Sequence, residues 1–342
     1  MSEKRLLITG GCGFIGANLV RHLLADDPGP AVTNLDALTY AGCRASLTDI
    51  EGGHPRYRFV QGDVCDPAIV GPLVAECDVV IHLAAESHVD RSIMDARPFV
   101  ETNVLGTQTI VDAILAADRP VRLVHVSTDE VYGPLPLDEP DAAVDTDARL
   151  RPTSPYAASK AAADLLVQAA VRTFDLDACI TRSTNNLGPY QHPEKLIPLF
   201  ITNLLRGDKV PLYGDGLHER DWLHVEDHVT GLLAAARRGR RGAVYHFASG
   251  QTRSNLEITR ALLRLVDADE SMIEHVADRP SHDRRYAIDT TSTEAGLGWR
   301  ASRPLDDATL ARVVDWYREH EAWWRPIRDG DFAAYCARQY RS

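Results

Sequence analysis

"LLITGGCGFIGANLV", Leu6 to Val20, runs an apolar strand pattern into glycines and then into a helix pattern. Gly10, Gly13 and Gly16 lie three residues apart, and Gly11, Gly13 and Gly16 also spell GxGxxG. Glycines at a strand-to-helix turn let the backbone approach a pyrophosphate, whose charge is met by the helix N-terminus. The triplet alone would also suit a merely structural turn; the strand before it and the helix after it favour a dinucleotide site. Asp36 ends the next strand pattern, 20 residues beyond Gly16. An acid there accepts hydrogen bonds from the adenosine ribose and repels a 2′-phosphate, which favours NAD over NADP. Asp63, after the third strand, is placed for the adenine edge, although a solvated turn aspartate would look the same.

Around this stretch the first half alternates strand and helix patterns. Arg5–Thr9, Ala31–Leu35, Tyr57–Gln61, Val79–Leu83, Val121–Ser127 and Ala178–Arg182 are strand-like. Phe14–Ala25 and Val100–Ala117 are helix-like, and Ser154 with Pro155 caps another helix. The alternation predicts an α/β protein: a Rossmann-type, doubly wound parallel sheet with a smaller, mixed α/β C-terminal region that binds the substrate. The expected division is 1–186 for the dinucleotide and 187–342 mainly for the substrate, with segments of about 220–250 returning to the first part. "GPYQHPEKLIPLF" (188–200) and "VPLYGDGLHERDWLHVEDH" (210–228) suit pocket-building loops. "AVYHF" (243–247) is strand-like, and segments near 228–238, 255–266 and 306–320 are helix-like.

The chain has 342 residues, 44% hydrophobic and 25% charged, with a net charge of −12. That charge argues against nucleic acid or an anionic membrane as partner. Six scattered cysteines with no CxxC pair predict reduced thiols in a cytoplasmic protein and no metal site. The strand pattern begins within a few residues of the start, which leaves no room for a signal peptide. No apolar run approaches the roughly 20 residues of a membrane span.

Two motifs carry chemistry. "SPYAASK" (154–160) places Tyr156 and Lys160 four apart, on one helix face. An ammonium beside a phenol favours the phenolate, and a phenolate can take the proton of an alcohol while hydride leaves to a nicotinamide. "HVSTDEVYG" (125–133) sets Thr128, Asp129 and Glu130 at the mouth of a buried strand, where charges are costly unless used or paired.

Together the glycine turn, Thr128 and Tyr156/Lys160 resemble the extended short-chain dehydrogenase/reductase superfamily. "LAAESHVDRSI" (83–93), "STDEVYG" (127–133), "GPYQHPEKLIPL" (188–199), "YGDGLHERDWLHVEDH" (213–228) and "DRPSHDRRYAID" (278–289) are similar to blocks of dTDP-glucose 4,6-dehydratases. The Asp-Glu pair discriminates, since related epimerases generally lack it. The resemblance implies a cytoplasmic homodimer with NAD as cofactor and a nucleotide sugar as substrate. Its cofactor residues are Gly10, Gly13, Phe14, Ile15, Gly16, Asp36, Ala37, Leu38, Thr39, Asp63, Val64, Leu83, Ala84, Ala85, Ser87, Thr102, Tyr156, Lys160 and Asn186. It places Ser87, Thr128, Asn185, Lys195, Leu196, Pro211, Leu212, Tyr213, Arg220, Asn255, Asp278, Arg279, Pro280, Ser281 and His282 at the substrate. Considered alone, Arg220 would also suit a structural ion pair and Tyr213 a core position. His88 and His224 are expected to be structural.

The implied reaction runs through Tyr156 at the C4 hydroxyl, Glu130 as base at C5 and protonated Asp129 as acid at the C6 hydroxyl. The implied dimer pairs the helix after Pro98 with the helix from Ser154. Leu187, Ser183–Thr184, the stretch "HFASGQTRSN" (246–255) and Ser281 depart from the family pattern near the nucleotide pocket. A UDP-sugar dehydratase, an NAD-dependent sugar-nucleotide 4-epimerase and a non-catalytic NAD-binding regulator are the other readings.

Overall fold

Leu7, Ile8, Val80, Ile81, Leu123 and Val124 are all buried, as expected for strands covered on both faces. In the computed structural model, which describes residues 4–25, 28–136, 139, 142–280 and 282–330, they form the middle of a seven-stranded sheet. Its order is Val244–Phe247, Ala178–Ser183, Arg122–Thr128, Val79–His82, Arg5–Thr9, Ala31–Asp36, Tyr57–Gln61. Every neighbouring pair is parallel. Alternate side chains serve opposite faces. Leu6, Ile8, Val79, Ile81, Val124 and Val126 pack with the helices Phe14–Ala25 and Val225–Arg238. Leu7, Val80, Leu123 and Ile180 pack with Pro67–Glu76, Gly106–Leu115 and Pro155–Phe174. The strand order reverses beside Arg5–Thr9, so the crevice at that strand's carboxyl end opens over the glycine turn.

The segment expected as one helix from Val100 begins at Arg97. It widens to π-helical geometry over Val100–Leu105 and continues as an α-helix over Gly106–Leu115. Its Asn103 side chain is buried, bonding Glu86 N at 2.8 Å and Ser159 Oγ at 2.8 Å. The helix Pro155–Phe174 starts as expected, with Ser154 accepting from Ala157 N.

Two stretches expected as loops carry regular structure. Leu196–Arg206 is a helix; Pro198 falls in its first turn, where a missing N–H costs nothing. Within 210–228, Val210–Tyr213 and Glu219–His224 are strands. The second of these pairs antiparallel with Thr252–Ser254 and parallel with Asn185–Leu187. Phe200, Trp222, Ile258, Leu310, Tyr317 and Trp324 form a separate core beneath them. Among the described residues, Cys12, Cys43, Cys65, Cys77 and Cys179 are free thiols.

Candidate active site

The glycine turn fits a dinucleotide because two of its glycines, Gly10 and Gly16, have no room for a side chain. A Cβ on Gly16 would lie 2.2 Å from the Gly10 carbonyl oxygen, and one on Gly10, at φ +73°, 2.7 Å from Ala84 N. Phe14 and Ile15 open the helix, whose first amides have no intrahelical partners. Asp36 Oδ2 accepts from Cys12 N and Oδ1 from Leu38 N, both at 2.8 Å. Its carboxylate thereby fastens the glycine turn to the Ala37–Thr39 loop and keeps one lone pair per oxygen for a ligand. Asp63 Oδ1 accepts from Cys65 N, the bond of a turn aspartate. Val64 is buried beside Gly106. Leu83, Ala84 and Ala85 follow the fourth strand of the sequence, where Leu83 N donates to Thr9 O and Ala84 N to Thr9 Oγ1. Thr102 lies half-buried on the π-helical turn.

Thr128 ends its strand beside the helix that carries Tyr156 and Lys160. Its Oγ1 donates to Asp129 Oδ1 at 3.2 Å and accepts from Glu130 N at 3.3 Å. Burial, then the neighbouring Glu130 charge, pushes the Asp129 carboxyl up to about 8. Burial also raises Glu130, but Arg279, Arg220 and Lys195 oppose it. Two adjacent carboxyls therefore have different surroundings: one is kept neutral near pH 7, while the other faces three cations.

Burial and the Glu130 and Asp129 carboxylates hold the Tyr156 phenol above its ordinary value, and a hydrogen bond with Thr128 opposes them. The Lys160 ammonium donates to Val126 O at 2.7 Å. Burial lowers Lys160 itself to about 8, against the pull of Asp164.

One cavity gathers most of the residues expected at the substrate. Ser87, Glu130, Asn185, Lys195, Leu196, Pro211, Leu212, Tyr213, Arg220, Asn255, Arg279 and His282 all line it. Lys195 Nζ donates to Ser87 O at 2.7 Å. Arg220 is neither exposed nor a simple ion pair: its guanidinium donates to the carbonyls of Glu219 and Asp283 and stacks 4.8 Å from the Tyr286 ring. Tyr213 is a half-buried wall residue rather than core, donating to Asp90 Oδ2 at 3.0 Å.

Thr128, Asp278 and Pro280 do not line this cavity; Asp278 holds His282 Nδ1 at 2.5 Å. Asn186 Oδ1 lies 3.0 Å from His228 Nδ1, and its Nδ2 donates to the Thr184 carbonyl. Ser281 lies outside the described residues. His88 caps the helix Val89–Met94, a structural role, yet it also lines the cavity.

Asp90, Glu194, Trp222 and Tyr286 line it too and were not singled out from sequence. Asp90 joins Arg279 (2.8 Å) to Tyr213, and buried Glu194 holds Arg91 at 3.1 Å. All four lie inside or beside the resembling blocks, but residue type alone does not mark them.

Residues 7–309 match the family model for GDP-mannose 4,6 dehydratase. The chain is 48% identical over 331 residues to a dTDP-glucose 4,6-dehydratase of Mycobacterium tuberculosis, covering 97% of this chain and 98% of that protein. It is 51% identical over 324 residues to the Streptomyces griseus dTDP-glucose 4,6-dehydratase, covering 94% and 96%. The crystal structure of DesIV, a dTDP-glucose 4,6-dehydratase from Streptomyces venezuelae with NAD and TYD bound, superposes with a TM-score of 0.90 at 49% identity. That match covers 94% of this chain and 99% of DesIV.

Proposed function

The chain belongs to the GDP-mannose 4,6-dehydratase family, among its dTDP-glucose 4,6-dehydratases, and we propose that it converts dTDP-glucose to dTDP-4-keto-6-deoxyglucose and water. The observation that carries this reading is the Asp129–Glu130 pair, one carboxyl held neutral and the other facing three cations, beside Thr128 and Tyr156. A 4-epimerase has no use for such a pair.

Gly10, Gly13, Gly16 and Asp36 would hold NAD, which when bound would supply a reversible hydride acceptor for C4 and C6 and a positive charge of its own. Tyr156 takes the proton of the C4 hydroxyl as a phenolate, a form favoured by the hydrogen bond with Thr128 and by the positive charges of Lys160 and of the bound dinucleotide. The resulting ketone acidifies the C5 hydrogen, which Glu130 removes. Asp129 donates its proton to the departing C6 hydroxyl, and water leaves. C5 regains a proton, so the sugar undergoes no net oxidation. Arg220, Lys195 and Arg279 meet the diphosphate, and Leu196, Pro211 and Tyr213 border the nucleoside.

Ile93, Met94, Val100, Leu105 and Leu165 are exposed apolar side chains on the helical stretch 89–115 and on Pro155–Phe174. They support an isologous dimer through these helices. Among the described residues no helix is long and apolar enough to cross a membrane.

The decisive experiment supplies dTDP-glucose deuterated at C4. Deuterium on the new C6 methyl group supports the mechanism. Label that washes out, or stays at C4, overturns it.

A further inference from the structure

A buried polar chain, none of whose residues lines the substrate cavity, joins the two catalytic elements. Asp164 is one turn beyond Lys160 on Pro155–Phe174 and fully buried. Its Oδ2 accepts from Arg182 Nε at 2.9 Å, and its Oδ1 lies 3.3 Å from His125 Nε2. Arg182 Nη1 donates to the Tyr132 hydroxyl, and the guanidinium covers the Tyr132 ring at 4.7 Å. Tyr132 belongs to the turn Asp129–Tyr132 and is fixed from its far side by His246 Nε2 at 2.7 Å. That histidine, bonded in turn to Asp289 O at 2.9 Å, opens the stretch 246–255 that departs from the family pattern.

One guanidinium thus grips the helix bearing Tyr156 and Lys160 with one nitrogen, and the turn bearing Asp129 and Glu130 with another. We propose that Arg182 is a positioning residue that sets the register between the two pairs, without touching substrate or cofactor. Oxidation at C4 uses the first pair and elimination across C5 and C6 uses the second, so the two steps share one geometry only while this joint holds. A rigid planar fork can span two acceptors in fixed directions; a lysine ammonium cannot.

The test uses R182K, which keeps the cation, and Y132F, which keeps the ring and removes the hydroxyl. In a single turnover of NAD-loaded enzyme with dTDP-glucose, the reduced-nicotinamide band is expected to rise at nearly the wild-type rate. It then persists, because elimination slows about 10²-fold, the scale of a misplaced catalytic group. The double variant should be no slower than the slower single one, since both break the same joint.

A second readout needs no turnover: the Asp129 titration midpoint, followed by carboxyl carbon NMR, should shift in both variants. An unmoved midpoint overturns the proposal. So does full-rate elimination, or a loss of oxidation and elimination in equal proportion. The proposal rests on the dehydratase reading, but the failures separate: wild type that forms no 4-keto-6-deoxy product sinks that reading, whereas the midpoint reports on the joint alone.

Discussion

Asp129 Oδ1 accepts from Thr128 Oγ1 at 3.2 Å, whereas its Oδ2 is buried with no hydrogen-bond partner among the described residues. A carboxyl so placed favours its neutral form, and the sign of the pH dependence follows. An aspartate is ordinarily half-ionised near pH 3.9, and this one is pushed up to about 8 in the folded protein. Below the ordinary value, folded and unfolded chains are both protonated. Between the two values only the folded chain keeps the proton, so stability falls as pH rises, by about 1.4 kcal/mol per unit for one proton. Asp129→Asn removes that penalty. Its melting temperature should match wild type near pH 4, exceed it increasingly up to about pH 8, and hold a constant lead above. Wild-type elimination should decline through about pH 8, as the acid loses its proton.

Glu130→Gln keeps the shape of the base and removes its function. C4 oxidation should survive, and elimination should fall by about 10²–10⁴-fold. Stopped-flow absorbance of the reduced nicotinamide checks this, because the band should form and persist. A variant that still releases water at the wild-type rate rejects the role of Glu130.

Gly13 separates cofactor contact from folding. A Cβ there would meet only the Gly10 carbonyl oxygen, at 3.3 Å, a tight but tolerable contact beside the 2.2 Å approach at Gly16. Gly13→Ala should therefore melt within a few degrees of wild type when stripped of cofactor, yet lose bound NAD during gel filtration. Gly16→Ala should lose both stability and NAD.

Leu105 and Leu165 are each about half exposed, at 55%. If their helices meet a second copy, glutamate at both positions places like charges in an apolar seam. Sedimentation should show the dimer of the wild type replaced by a monomer, with the melting temperature of the monomer otherwise little changed.

The sheet was legible because its strands are short apolar runs between turn residues, and "VVIH" or "RLLIT" leave little choice once helices alternate with them. Glu219–His224 was not, because "ERDWLH" buries two charged side chains in a strand. Their compensation comes mostly from distant parts of the chain: Thr184 and Ser249 donate to Asp221, and the carbonyls of Asp283 and Arg284, with that of the neighbouring Glu219, receive Arg220. Leu196–Arg206 was hidden by the three prolines of 188–200, although Pro198 stands where a helix tolerates one.

Within the site, Thr128, Tyr156, Lys160 and the acid pair are marked by local spacing. Asp90 is not, since its partners Tyr213 and Arg279 lie 123 and 189 residues away. The hydrogen-bond partner of Lys160 is hidden from the sequence for a related reason. Four-residue spacing puts two side chains on one helix face, but the Val126 carbonyl, from another element, decides where the ammonium points.

The outermost strand, Val244–Phe247, joins the sheet from far along the chain. On the ribosome, Ala178–Ser183 therefore emerges with a bare row of amides and carbonyls and waits for its neighbour while the intervening loops are synthesised. Such an open edge invites pairing with another nascent chain. Translation halted just beyond Asn186 should therefore yield aggregates instead of a small, separately folded NAD-binding protein.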